Sequence, residues 1–154
     1  MTATPFAIEA LVYERWGGGP QPPEVVAGHL GGVARRHGWT WQPEPGGLYQ
    51  LRAEDRFGGS LGWVILRGNI AAVAAAPCQP YITPWPLLGA GPIWDALGAS
   101  GVLVLPDPAW LLADLPPAER TRLLASRAGQ GWEAQVTFKE RPGTRAEALF
   151  NDWD

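Results

Sequence analysis

The stretch that decides the fold is LGWVILRGNIAAVAAA, residues 61–76. Two apolar runs, 61–66 and 70–75, flank Gly68-Asn69, a dipeptide that readily adopts positive φ and forms the tight turn of a β-hairpin. The second run is rich in alanine, which has helical propensity, but its short length before a proline favours a strand. The pattern therefore predicts a hairpin in the middle of the chain.

On the N-terminal side of this hairpin the sequence predicts one helix and three strands. Residues 39–42 and 49–54 form two short strands joined by a Pro- and Gly-rich turn, so a second hairpin is expected there. Residues 23–37 begin with proline, carry apolar side chains at helical spacing and end at Gly38, as a helix does. Residues 6–13 alternate apolar and other side chains at period two, which predicts a first strand.

The C-terminal side of the hairpin begins with residues 77–91, which contain four prolines and show no steady period. They are expected to form a long loop, and residues 92–97 a short helix. Residues 102–105 are continuously apolar, which is typical of a central strand covered on both faces. Asp107 and Asp114 each precede proline at the start of a predicted helix, so two consecutive helices follow.

The last part of the chain predicts one strand and one helix. The second of the two consecutive helices is expected to end at Gly129, and residues 132–138 alternate as a half-buried strand does. Thr144 and Glu147 have capping-box spacing. A terminal helix is then expected to dock by an apolar stripe made of Ala146, Leu149, Phe150 and Trp153.

Length and composition indicate a single globular domain covering residues 1–154. Hydrophobic residues make up 46% and charged residues 18% of the chain, enough apolar surface to offset the ordering entropy of folding. The predicted fold is a compact α+β domain. It has a mostly antiparallel sheet of five to seven strands, helices gathered on one face, and a C-terminal helix at an edge.

Charge and cysteine content narrow the classes of partner and compartment. Twelve basic against fifteen acidic side chains give a net charge of −3, which lacks the basic excess of a protein that binds phosphate backbones. The single cysteine excludes an intrachain disulfide. No signal peptide is indicated, and the longest apolar passage is too short to span a bilayer. We therefore expect a soluble, cytoplasmic protein with no membrane as a partner, and the charge balance disfavours nucleic acid without excluding it.

The sequence contains none of the familiar catalytic or cofactor motifs. A phosphate-binding loop, a G-x-S-x-G elbow, an H-E-x-x-H helix and a dinucleotide fingerprint are all missing. No local spacing such as C-x-x-C indicates a metal site. We expect neither cofactor nor metal, and the sequence leans away from an enzyme.

The nine tryptophans are the most unusual feature of the composition. Three of them lie beside proline-rich turns and, with a tyrosine in the long loop, could form a rigid aromatic surface of the kind enriched in interface hot spots. The competing interpretation is that these rings cover the edges of a small core. Acidic residues near the C-terminus could receive an arginine from a partner. The leading hypothesis is a non-catalytic protein-binding module, such as an inhibitor, immunity-type or adaptor protein, with partner-binding residues Trp39, Trp41, Tyr81, Trp85, Asp152 and Asp154.

One alternative is a small enzyme or a small-molecule binder. Its pocket would lie between the 77–91 loop and the 23–37 helix, with Cys78, His37 or Tyr81 as the polar groups. Cys78 could act as a nucleophile only if an imidazole approached it.

A second alternative is the binding of single-stranded nucleic acid. Bases stack on aromatic rings, and Trp39, Trp41 and Trp85 could serve with Arg35 and Arg36. The identity of the partner and the oligomeric state stay open.

Overall fold

A computed structural model describes residues 8–46, 48–79, 84–126 and 143–150. Within these residues five strands form one sheet: β1 (Thr40–Pro43), β2 (Gln50–Glu54), β3 (Ser60–Arg67), β4 (Ile70–Ala74) and β5 (Leu87–Leu88). Six helices accompany them: α1 (Glu9–Trp16), α2 (Pro23–His37), α3 (Pro92–Gly98), α4 (Pro108–Leu112), α5 (Pro117–Ser126) and α6 (Arg145–Phe150).

The sheet is an antiparallel meander in the order β1-β2-β3-β4-β5. Gly68 and Asn69 make the two-residue turn between β3 and β4, with Gly68 at φ +57° and Arg67 opposite Ile70. β1 pairs with β2 so that Thr40 faces Glu54. Both predicted hairpins, the α+β class and the presence of a C-terminal helix are confirmed, but α6 packs over the central strand β3 rather than at an edge.

Helices cover both faces of the sheet, whereas one covered face was expected. Alternate residues of β4 explain the difference: Ala71 and Val73 pack with α2 and α3, while Ala72 and Ala74 pack with α1, α4, α5 and α6. Every residue of β4 is consequently buried. The unbroken apolar run of this strand is the pattern of a strand covered on two sides.

The predicted first strand over residues 6–13 is wrong, because residues 9–16 form helix α1. Ile8, Leu11 and Val12 are all buried, and their i, i+3, i+4 spacing places them on one helical face against the sheet. The period-two alternation seen in the sequence was coincidental. Residues 1–7 lie outside the described residues.

The predicted strand over residues 102–105 is also wrong. Val104 makes only an isolated parallel bridge to Ile70, with hydrogen bonds from its amide to Asn69 O (2.8 Å) and from Ala71 N to its carbonyl (2.9 Å). The short strand β5 pairs with Val73 and occupies the rest of that edge of β4. The apolar run is therefore a docking segment beside one end of β4.

Most predicted helix ends are confirmed. α2 spans the predicted residues and stops at Gly38 in the left-handed conformation. Asp107 caps α4, since its Oδ1 accepts from Ala109 N at 2.9 Å. Thr144 Oγ1 accepts from Glu147 N at 3.2 Å in the expected capping box.

The start of α5 differs in one detail from the prediction, and three other predictions concern residues that the structure does not describe. α5 begins at a proline as predicted, but Asp114 lies in an isolated bridge with Thr144. The predicted strand over 132–138, the helix stop at Gly129 and the docking of Trp153 lie outside the described residues. Among the helices that the structure describes, none combines the length and the apolar character needed to cross a bilayer.

Candidate functional site

Trp85 does not contribute to a surface, so its expected exposure is wrong. Its side chain is only 2% exposed, and its indole N–H donates to Gln79 O at 2.9 Å. The ring lies 6.5 Å from that of Phe150, in the core between the sheet and α6. The reason is that the chain turns back at this point to form β5, which carries the ring inward.

Trp39 and Trp41 are half-buried at the seam between α2 and β1. The Trp41 indole N–H donates to Leu30 O of α2 at 2.8 Å. The two indole rings meet edge to face at 6.4 Å, and the His37 ring stacks on Trp39 at 4.4 Å. Both tryptophans pack against the core layer under α2, so each leaves only part of its ring at the surface.

The other three partner-binding candidates, Tyr81, Asp152 and Asp154, lie outside the described residues. Their roles stay predictions.

The most exposed large apolar side chain among the described residues is Phe57, at 89%. It lies in the β2–β3 loop, whose shape is fixed by the carboxylate of Asp55. One oxygen of that carboxylate accepts from Phe57 N at 2.8 Å and from Gly59 N at 2.9 Å, and Gly58 adopts φ +82°. The loop therefore holds an aromatic ring in solvent on a backbone with several internal hydrogen bonds.

Sequence reasoning missed Phe57, although a signal was present. In Asp55-Arg56-Phe57-Gly58-Gly59 an aspartate precedes two glycines, which is a turn signature. An aromatic residue inside such a turn cannot alternate into the core. Its presence at the tip of a hairpin therefore predicts an exposed ring.

Several arginines belong to segments that begin or end at the same end of the sheet as the Phe57 loop. α2 ends where β1 begins, and β1 begins opposite the end of β2, from which the Phe57 loop projects. Arg35 and Arg36 are exposed in the last turn of α2, and the Arg56 guanidinium lies 5.8 Å from the Phe57 ring centroid. We call this set the Phe57 surface, and its members are Arg35, Arg36, His37, Trp39, Arg56 and Phe57.

Cys78 and His37 are not brought together. Cys78 is buried in the core layer beneath α1 and α6, while the Trp39 ring on which His37 stacks packs on the other face of the sheet. The amide of Gln50 fixes the Cys78 backbone, donating to its carbonyl at 2.8 Å and accepting from its N–H at 3.1 Å. Burial raises the pKa of the Cys78 thiol to about 12. The thiol is thus a core group, on the opposite face of the sheet from His37.

His37 instead lines an open cleft of about 600 Å³ with Gly91, Pro92 and Asp95 of the segment that enters α3. The other histidine, His29, is used structurally. Its Nε2 donates to Leu97 O at 3.0 Å and so ties α2 to α3.

Two further clefts lie at the opposite end of the sheet, on either side of the β3–β4 turn. Their volumes are about 330 and 410 Å³. Among the described residues no three histidine, cysteine or acidic side chains converge as metal ligands. Comparison of the chain with protein-family models, curated proteins and solved structures found no match.

Proposed function

We propose that this protein is a non-catalytic protein-binding module, of inhibitor, immunity or adaptor type, that engages its partner through the Phe57 surface. The observation that carries the proposal is the 89% exposure of Phe57 on a loop held by two hydrogen bonds to Asp55. At this exposure the ring adds almost no apolar burial to the folded domain. Its placement is accounted for if a partner buries it.

The preformed loop favours binding in free-energy terms. Burying a phenylalanine side chain contributes about 1.5–3 kcal/mol. Ordering a loop at an interface usually offsets part of such a gain, and a loop that is ordered beforehand avoids that cost. Phe57 therefore has the properties of a hot-spot anchor, since such residues insert into desolvated pockets of the partner.

The charges around Phe57 indicate the chemistry of the partner. Arg35, Arg36 and Arg56 form no ion pair with any carboxylate of the described residues, whereas Arg52 of the neighbouring strand pairs with Glu54 at 2.7 Å. The Arg35 and Arg36 guanidinium groups lie back along α2 beside Gly31 and Gly32, so Arg56 is the cation next to the Phe57 ring, at 5.8 Å from its centroid. Arginine is enriched at interfaces. The expected partner is a protein with an apolar pocket rimmed by carboxylates, which would also steer the encounter.

We expect the partner to be bound by side chains and not by adding a strand to the edge of the sheet. β1 is an edge strand, and Glu44 N donates to Gln50 O, which continues the hydrogen-bonded side of the β1–β2 ladder. Trp41 and Pro43 therefore turn their backbone groups away from β2. Because proline lacks an N–H, Trp41 alone offers a donor along this edge, and such an edge is a poor template for another strand.

The single-stranded nucleic-acid alternative has less support. Its binding surfaces are grooves in which successive bases stack on open aromatic faces. Here Trp85 is buried, His37 already stacks on Trp39, and the Trp41 ring is tied to α2. Phe57 is a convex tip rather than part of a groove. We also propose that the protein is cytoplasmic, which the single free cysteine, Cys78, supports.

The test is site-specific photocrosslinking in the native lysate. The photoreactive p-benzoylphenylalanine replaces Phe57 in one sample and Tyr49, which is 65% exposed at the opposite end of the sheet, in the other. We expect one discrete protein adduct from position 57, insensitive to nuclease, and none of that mass from position 49. Adducts that disappear with nuclease, equal adducts from both positions, or no adduct at position 57 would each refute the proposal.

A quantitative arm uses the crosslinked partner in a binding assay with the full chain. Phe57→Ala should weaken the complex roughly 10- to 100-fold, from the 1.5–3 kcal/mol of ring burial. Arg56→Glu should lower the association rate, most strongly at low salt. Tyr49→Ala is the matched control and should leave affinity unchanged. An unchanged affinity for Phe57→Ala would show that the crosslink was incidental.

A further inference from the structure

The cleft between α2 and the end of β3 opens on one face of the sheet. Its walls include the α2 side chains Val26, Ala27 and Leu30 and the β3 side chain Leu66. The three larger side chains belong to the core layer under α2 and are 7% exposed or less. At Gly68, which also lines the cleft, an added methyl group would meet no atom within 4 Å. The cleft is therefore apolar, preformed and open.

The size of this cleft suits a small molecule. Its volume is about 410 Å³, within the range of about 300–1,000 Å³ common for small-molecule sites. The room is left by two small residues, Ala27 on the helix and Gly68 in the turn, between larger neighbours that are fixed in the core.

Tyr49 adds an aromatic ring to the cleft. The β2–β3 register, in which Gln50 faces Ile65, continues to Tyr49 opposite Leu66, and Leu66 N donates to Tyr49 O at 3.0 Å. Side chains directly opposite each other in antiparallel strands lie on the same face of the sheet, so the Tyr49 ring is on the α2 side. The ring is 65% exposed, and its hydroxyl makes no hydrogen bond with any described residue. An uncovered aromatic ring therefore borders an apolar cleft.

The charge at the mouth of the cleft is negative. None of the residues that line it is charged at pH 7. Arg67, next to Leu66 in the chain, lies on the opposite face, where Glu9 accepts from its Nε at 2.6 Å. Glu24 is exposed and forms no ion pair with any described residue. Because residues three apart are neighbours on a helix, Glu24 flanks the Ala27 side of the cleft.

The start of α2 does not cancel this negative charge. α2 begins at Pro23, and a helix N-terminus carries about half a positive charge, less than the full charge of a carboxylate. Gln21, which lines the cleft, adds a side-chain carbonyl that can accept a hydrogen bond. The mouth therefore suits a cation, whereas the carboxylate of a ligand would approach Glu24 with no basic side chain in the lining to pair with.

We propose that this cleft is a binding site for a small aromatic amine in its protonated form. The aromatic body lies between α2 and Leu66 with Tyr49 beside it, and the ammonium group lies at the mouth near Glu24. A cation beside a tyrosine ring gains a further electrostatic attraction. The site is at the opposite end of the sheet from the Phe57 surface and does not depend on the protein-binding role.

The experiment compares three probes that share a naphthyl ring and a two-carbon arm: 2-(1-naphthyl)ethylamine, 2-(1-naphthyl)ethanol and 1-naphthylacetate. Each is titrated into the full chain by calorimetry at pH 7 and low salt. We expect the amine to bind with Kd below about 1 mM and about three- to fivefold more tightly than the alcohol, as for an exposed ion pair. The acetate should bind more weakly than the alcohol. An amine Kd above 1 mM, or an alcohol or acetate that binds as tightly as the amine, would overturn the proposal.

Two charge variants test the role of Glu24. Glu24→Gln should bring the affinity for the amine down to that for the alcohol and leave the alcohol unaffected, whereas a purely structural role would weaken both probes alike. Asp95→Asn is the matched control, because Asp95 is an exposed acid in the other open cleft, beside His37. It should leave the amine preference unchanged. Loss of the preference in Asp95→Asn but not in Glu24→Gln would refute the proposal.

Two further variants locate the aromatic body of the probe. Ala27→Trp fills the cleft from an exposed position on α2, and Tyr49→Ala removes the bordering ring. Each should lower the affinity for the amine at least about fivefold, while thermal unfolding confirms that the fold is kept. Phe57→Ala is the control and should bind the amine as the wild type does. Amine binding that neither cleft variant changes would place the probe elsewhere and contradict the proposed site.

Discussion

Replacement of Asn69 tests how the β3–β4 turn holds the surrounding segments. The Asn69 side chain is buried and makes three hydrogen bonds: it accepts from Tyr13 OH at 2.5 Å and donates to Gly19 O at 3.0 Å and Val102 O at 3.1 Å. Each such bond contributes about 1 kcal/mol net, and more is lost when a buried partner is left unpaired. We expect Asn69→Ala to lower the free energy of unfolding by about 3 kcal/mol and Tyr13→Phe by about 1 kcal/mol.

An isosteric change separates the two donated bonds from the accepted one. Asn69→Asp keeps an acceptor for Tyr13 but loses both bonds to carbonyl groups and places an anion against them. Burial beside two carbonyls raises the pKa of the introduced carboxyl in the folded state above its unfolded value. Stability of this variant relative to wild type should therefore rise as the pH falls, because the folded protein binds the proton more tightly. Asn69→Ala should show no such trend.

The assay is urea unfolding of the full chain from pH 7 down to pH 5, followed by circular dichroism, with the double variant of Tyr13 and Asn69 included. The combined loss should be smaller than the sum of the single losses, since the two side chains share one bond. If Asn69→Ala costs less than about 1 kcal/mol, or if Asn69→Asp is as stable as wild type at pH 7, the three bonds do not hold these segments together.

Two further predictions concern the buried thiol of Cys78 and the partly buried ion pair between Arg145 and Glu119. Because the pKa of Cys78 is raised to about 12, its thiolate at pH 8 is roughly three orders of magnitude scarcer than that of a free cysteine. A chromogenic disulfide should therefore label the native chain far more slowly than the urea-unfolded chain. The free energy of unfolding should also fall as the pH rises from 9 toward 12, because the thiol of the unfolded chain loses its proton at a lower pH. Equal labelling rates would contradict the burial of this thiol. Arg145 donates to both oxygens of Glu119 at 2.9 Å and lies 4.5 Å from the ring centroid of Trp110. Arg145→Lys should therefore lower the free energy of unfolding, measured in urea, by about 1–2 kcal/mol. Arg52→Lys is the control in a more exposed ion pair and should lower it by about 0.5 kcal/mol or less. Equal effects of the two changes would mean that the planar guanidinium of Arg145 makes no special contribution.

The parts of the fold that sequence could predict are those fixed by local chemistry. Gly68 is needed where the turn requires positive φ, and Gly38 ends α2 for the same reason. Asp107 and Thr144 supply side-chain caps that depend only on their near neighbours. In each case the deciding interaction spans four residues or fewer, so the pattern carries the information.

The parts that sequence could not predict depend on distant contacts. Residues 6–13 were predicted as a strand, whereas the helix over residues 9–16 is held by distant contacts: the ion pair between Glu9 and Arg67 and the sheet face that Leu11 and Val12 cover. Trp85 looked exposed because prolines flank it, yet pairing of β5 with β4 carries it inward. A short stretch of sequence does not show which distant segment will pair with it or which of its faces will be covered.

For the same reason, sequence reasoning found only part of the candidate sites. It selected tryptophans because they are numerous, whereas Trp39 and Trp41 are largely used to seal α2 against the sheet. It passed over Phe57, whose single ring is far more exposed than either. A residue type indicates what a side chain can do, but its availability depends on whether the fold has already covered it.

The architecture itself explains why the Phe57 surface lies at an end of the sheet. Helices occupy both faces, so no side chain of β4 reaches solvent. One edge strand carries Pro43 and offers a single N–H, and the other, β5, is two residues long. What remains for a partner or ligand is the loops where strands turn. There the 55–59 loop projects the Phe57 ring from a sheet whose faces are covered, so a strand end is where this domain has an aromatic group left to offer a partner.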